Sequence, residues 1–142
     1  MSKISSKLDK EVRARSKNRC GYCLAPQLLT SYKLEIEHIY PQAKGGTDDA
    51  ANLCLACRSC NSYKAVKVYG VDPISLKRVR LFNPNRHSWA EHFAWDASQT
   101  AIIGNTPCGR ATVEALQMNG DWQKTARRFW KLTGIFPPPD GN

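Results

Sequence analysis

An α+β fold is predicted for this chain of 142 residues, and three observations predict it. Ile4, Leu8 and Val12 recur every four residues, as one apolar stripe of a helix does. Two short strand-like runs then precede a helix-like one, and a Cys-x-x-Cys pair stands at either end of that block. Beyond it the chain is rich in turns and aromatic residues.

The first helix carries Arg13 and Lys17 outside its apolar stripe and is expected to end near Asn18. Cys20-Gly-Tyr-Cys23 follows. From Lys33 to Ile39, apolar Leu34 and Ile36 alternate with Glu35 and Glu37, the period of a strand. Pro41 stops it, because proline cannot donate to a ladder. Gly45-Gly-Thr-Asp-Asp49 is a loop, Asn52–Ala56 a second strand, and Arg58 to about Val68 a helix ended by Gly70. After turns at Val71-Asp-Pro and Phe82-Asn-Pro-Asn, Trp89–Asp96 and Thr100–Gly104 are expected to pair as a hairpin. Thr106-Pro107 starts a helix that runs to about Met118. Trp122, Ala126, Phe129 and Trp130 mark a last amphipathic helix, and Pro137–Pro139 begin a loose, extended tail. The expected organisation is residues 1–70 as the chemical core and 71–142 as an extension, a hairpin plus two helices, packed on it as a single domain.

Lys and Arg number 21 against 12 Asp and Glu, a formal net charge of +9. Clustered basic residues favour a polyanionic partner through phosphate contacts and counterion release. The charge lies in two blocks. Lys3, Lys7, Lys10, Arg13, Arg15, Lys17 and Arg19 precede the first cysteine pair, and Lys64, Lys67, Lys77, Arg78, Arg80 and Arg86 follow the second. No apolar run approaches the ~20 residues that span a bilayer, and the first residues lack the apolar core of a leader. No membrane and a cytoplasmic location are therefore expected, a setting in which paired cysteines hold metal rather than disulfides.

Cys20, Cys23, Cys57 and Cys60 together offer the four thiolates of a closed, structural zinc site. A filled set leaves no position for water, so catalysis by this zinc is not expected. Cys54 reads as a small buried hydrophobe, and Cys108 sits in a first helical turn with no partner base. Between the hooks Glu37 adjoins His38. A histidine suits water activation, and a hard divalent ion suits the charge of a phosphate.

Glu37-His38-Ile-Tyr-Pro41, Gly45-Gly-Thr-Asp-Asp49, Asn52-Leu53 and Cys57-x-x-Cys60-Asn61-x-x-Lys64 resemble the HNH endonuclease motif in its zinc-stapled form. The resemblance spans about Arg13 to Lys67. It implies a ββα-metal core, with two strands and a helix around one catalytic divalent ion. By the same resemblance His38 is the general base and Asn52 bonds across the loop to hold it. Glu37 and Asn61 hold the catalytic ion, and Lys64 contacts a phosphate. Position 61 is Asn, an H-N-N variant, and its amide oxygen points to Mg²⁺ or Mn²⁺. Lys67, Arg58 and Arg19 complete the expected nucleic-acid contacts, with DNA as substrate and RNA as an open alternative.

Two other readings stand beside this one: a non-catalytic zinc-stabilised nucleic-acid-binding module, and a redox protein using its cysteine pairs. His87 reads as a surface residue and His92 as a half-buried one. Trp89, Phe93 and Trp95 read as a packed face rather than a platform for bases. Arg110, Arg127 and Arg128 are expected to extend the basic surface.

Overall fold

Helix α1 (Ser6–Arg15) starts where Ser5 Oγ accepts the Leu8 N–H at 3.1 Å, and it buries Val12 completely. Residues 4–139 are described in the computed structural model; Lys3 lies outside them. The helix is shorter than its stripe suggests, because the chain turns at Ser16–Asn18, with Lys17 and Asn18 at positive φ. Strands β1 (Glu35–His38) and β2 (Leu53–Ala56) pair antiparallel, with Glu37 opposite Cys54 and His38 opposite Leu53. Helix α2 (Arg58–Lys64) follows at once, capped by Cys57 Sγ. It stops before the expected Val68: Ala65 takes φ 48°, and Gly70 lies instead inside a strand.

That strand, β3 (Tyr69–Val71), pairs with β4 (Arg78–Arg80) in a hairpin where the sequence suggested only turns. Asp72 holds its turn by accepting the Ile74 and Ser75 N–H groups. The expected strand from Trp89 begins later. Trp89–His92 winds one helical turn, α3, before β5 (Phe93–Trp95) pairs with β6 (Ile102–Gly104). Helices α4 (Pro107–Ala115) and α5 (Asp121–Lys131) complete the order, a mixed α and β architecture. No helix among the described residues is long and apolar enough to cross a membrane.

One cluster of buried side chains draws on both halves of the chain, from Cys20, Leu34 and Leu55 to Phe82, Phe93, Ala111 and Met118. Polar bonds join the halves as well. Trp89 Nε1 donates to Tyr22 O at 2.8 Å, and the Phe82 N–H donates to Thr112 Oγ1 at 2.9 Å. The proline tail is not loose up to Pro138, since Phe136 packs edge-on against Trp95 and Trp130 and Pro138 is buried; residues 140–142 lie outside the described ones.

Several basic residues expected at the surface are used internally. Arg13 bonds Asp9 and Leu34 O, and Arg15 bonds Leu53 O. Arg110 grips the buried Asp72 through two bonds of 2.8 and 2.9 Å, which holds that carboxyl well below the usual carboxylate range. Arg127 is 2% exposed and donates to Thr100 O at 2.8 Å and Met118 O at 2.7 Å. Replacing it strands two buried carbonyls. Arg127→Met should lower unfolding free energy by about 3 kcal/mol in urea denaturation; a loss below about 1 kcal/mol would mean that water reaches those carbonyls.

Candidate metal centre and active site

The two hooks converge although 33 residues separate Cys23 from Cys57. Cys20, Cys23, Cys57 and Cys60 are all buried, and their sulfurs lie within 4.8 Å of one another. Cys23 and Cys57 sulfurs are 3.7 Å apart. A tetrahedron with Zn–S bonds of about 2.3 Å has edges of about 3.8 Å, whereas a disulfide would need about 2.05 Å. Within each hook the second cysteine's N–H points at the first sulfur, at 3.5 Å for Cys20 and 3.4 Å for Cys57. Sulfur-to-sulfur bonding, led by Cys20, holds the Cys23 thiol well below its usual range and pushes Cys57 and Cys60 up. A divalent cation relieves that competition by taking all four as thiolates. The set fits a structural metal such as zinc.

Between the hooks, the loop from Ile39 to Asn52 is closed by one amide. Asn52 Oδ1 accepts the Tyr40 N–H at 2.8 Å, while Nδ2 donates to Tyr40 O at 3.1 Å and Thr47 O at 2.8 Å. The loop is so tight that a Cβ on Gly46 would lie 1.8 Å from Tyr40 O, and Gly45 has φ 94°. Only glycine permits that pair of conditions. At the strand end His38 Nε2 meets Asp48 Oδ1 at 2.7 Å, with the two side chains 17% and 39% exposed. When neutral His38 donates from Nε2, its Nδ1 is left able to accept a proton.

Residues 20–67 match the family model of the HNH endonucleases. The match covers about a third of the chain, and it is this segment that is similar to the HNH endonucleases. No curated protein and no solved structure matches the chain. Similarity to that family implies a nuclease or another function on nucleic acid.

Within the matched segment, the strand puts Glu37 and His38 on opposite faces, as alternation requires. Glu37 points toward α2 and is 4% exposed. Lys64 Nζ sits 2.6 Å from its Oε1, and Tyr22 Oη and Cys54 Sγ donate to its Oε2 at 2.9 and 3.3 Å. Burial pushes both the Tyr22 and the Cys54 acids well above their usual range, so each keeps the proton it donates. Asn61 Nδ2, in turn, donates to Glu35 Oε1 at 2.9 Å. Glu37 and Asn61 as arranged do not fit a hard divalent ion, because an ammonium group already occupies the carboxylate. Lys64, 1% exposed, is not positioned as a phosphate contact either.

Of the other expected contacts, Arg58 is exposed and lies over the Tyr32 ring at 4.4 Å, and exposed Lys67 bonds Tyr63 O at 2.7 Å. Arg19 is half-buried. Sequence reasoning missed Asp48, which it assigned only to a loop, and the cleft beside that loop. Thr47, Asp49 and Asn52 line this cleft of about 370 Å³ together with Arg80, Asn83 and Arg86. Both arginines stood in the basic block, but nothing in the sequence paired that block with the Gly-Gly loop. Lys64→Met should destabilise the fold by about 3–5 kcal/mol by leaving Glu37 charged and unpaired. A phosphate-contacting lysine would instead leave thermal unfolding unchanged and weaken only nucleic-acid binding, so comparing the two measurements decides its role.

Proposed function

We propose that this protein is an HNH endonuclease that hydrolyses DNA phosphodiester bonds, with His38 as general base. The observation that carries the proposal is the His38–Asp48 bond at a strand end beside the Asn52-locked loop. Asp48 orients the ring and stabilises the imidazolium formed when Nδ1 takes a proton from water. Asn52 keeps the loop from drifting, so the base stays in register with the chain that bears it. Arg80 and Arg86, exposed on the cleft wall, neutralise the phosphate. The order β1, β2, α2 supports a ββα-metal core, with residues 71–139 packed on it in one domain and zinc in the four-thiol clasp.

Dependence on Mg²⁺ or Mn²⁺ comes from the family and forms part of the proposal. In the arrangement described, Lys64 would have to leave Glu37 before Glu37 and Asn61 could hold such an ion. That same closed ion pair favours the second reading, a zinc-stabilised module that binds nucleic acid without cutting it.

Nicking of supercoiled plasmid in Mg²⁺, Mn²⁺ or EDTA separates the two readings. The enzyme should nick with a divalent ion and stop in EDTA. His38→Ala should lose at least about 100-fold in rate, and Asp48→Ala about 10-fold, with unchanged unfolding curves. DNA that is retarded in a gel yet uncut in every metal would establish the binder, and equal nicking by His38→Ala would remove the assigned base.

A further inference from the structure

His87, His92 and Cys108 come from three separate elements, the turn after Phe82, α3 and the first turn of α4. One ligand atom from each lies within 4.8 Å of the others. None of the three takes part in the clasp or in the His38 site. We propose that they form a second metal site, an open three-ligand set for a borderline ion such as zinc, completed by water.

The chemistry of the donors selects the ion. Two imidazoles and one thiolate suit zinc rather than Mg²⁺ or Ca²⁺, and three protein ligands with one open position are a known zinc arrangement. His92 is already oriented for the task. Its Nδ1 bonds Thr106 Oγ1 at 2.6 Å, which fixes the ring and leaves Nε2 as the nitrogen outside that bond, as partners behind ligating histidines do. Thr106 is itself anchored, since its Oγ1 caps α4 by accepting the Gly109 N–H at 3.0 Å. The His87 and His92 rings stand 5.2 Å apart at 62°, both against Phe82. Burial, with His92 beside it, lowers the His87 pKa, which favours a neutral ring. Burial raises the Cys108 thiol, so the ion must displace that proton as it binds.

Loading the site requires two adjustments. Tetrahedral N and S ligands lie about 3.3–3.6 Å apart, so a spacing of at most 4.8 Å has to tighten by no more than about 1.5 Å. His87 is exposed on a turn and free to supply that movement. Its Nδ1 now accepts the Asn83 N–H at 3.1 Å, and ligation through Nε2 would replace that bond with one from Nδ1–H to water. The consequence reaches the cleft. Residues 83–87 carry Asn83 and Arg86 on the cleft wall, and Asn85 Nδ2 donates to Ala51 O and Leu53 O at 2.9 and 2.8 Å. An ion at His87 therefore braces the turn that carries the basic wall.

Untagged protein equilibrated with zinc, then freed of loosely held metal by gel filtration, should retain two zinc ions per chain. His87→Ala and Cys108→Ala should each retain one. His87 is exposed, so its variant tests ligation without risking the fold. Zinc should also slow alkylation of Cys108, followed by peptide mapping, at least about 10-fold in the wild type and not in His87→Ala. One zinc in the wild type, two in either variant, or alkylation of Cys108 indifferent to zinc would each overturn the site and leave the three residues as packing around Phe82.

Discussion

Among the described residues each of the three sheets has only two strands, a size that is marginal alone in water, so this fold depends on what ties its pieces together. The four-thiol clasp is the tie with the longest reach. It brings the turn after α1 against the start of α2, and the backbone of the first hook is pinned to β2 by the Gly21 N–H to Leu55 O bond of 2.7 Å. Tyr22 lies between the two cysteines of that hook and works in two directions. Its hydroxyl reaches Glu37 on β1, and its carbonyl receives the indole of Trp89 from the other half of the chain. Metal in the clasp would thus stabilise the strand that bears His38 and the aromatic core beyond it.

Charge is partitioned in a way that the net value hides. Arg13, Arg15, Lys64, Arg110 and Arg127 are committed to carbonyls and carboxylates of the protein itself. Exposed positive charge remains at Lys77, Arg78, Arg80 and Arg86, at Arg58 and Lys67 on either side of α2, and elsewhere on the surface, as at Lys7, Lys10, Lys17 and Arg128. Arg78 is held in place by stacking over Tyr69 at 4.0 Å. Beside the Gly-Gly loop a polyanion would meet Arg80 and Arg86, which line the same cleft as Gly45 and Gly46.

The hooks were legible because their chemistry is local: two short spacings name four ligands before any tertiary contact is known. Strand β1 was legible from alternation, and α4 from Thr106-Pro107. What escaped depends on distant partners. The β3–β4 hairpin has few apolar residues of its own and gains its order from Asp72, whose carboxylate is claimed by Arg110 some 38 residues away. Helix α2 reads as longer in sequence because Gly70 serves as its stop signal, yet Ala65 turns the chain at φ 48° and Val68 is buried ahead of β3. Arg127 sits on an amphipathic helix among exposed Arg128 and Phe129, and only the carbonyls at the end of α4 reveal it as interior.

The pair Glu37-His38 shows why adjacency in sequence is a poor guide to shared chemistry on a strand. Period two sends the carboxylate under α2, where three donors surround it, and the imidazole to the other face, where Asp48 receives it. The buried face is electrically closed, with an acid, an ammonium group and two protonated acids in balance. The His38 face is partly open to water and borders a loop that glycine makes tight and Asn52 makes rigid. Of the pair, His38 is the one that this structure leaves partly open to solvent. Glu37 can join it only through an event that draws Lys64 away. Because such an event exposes a buried charge, it needs a strongly bound cation to replace the one removed.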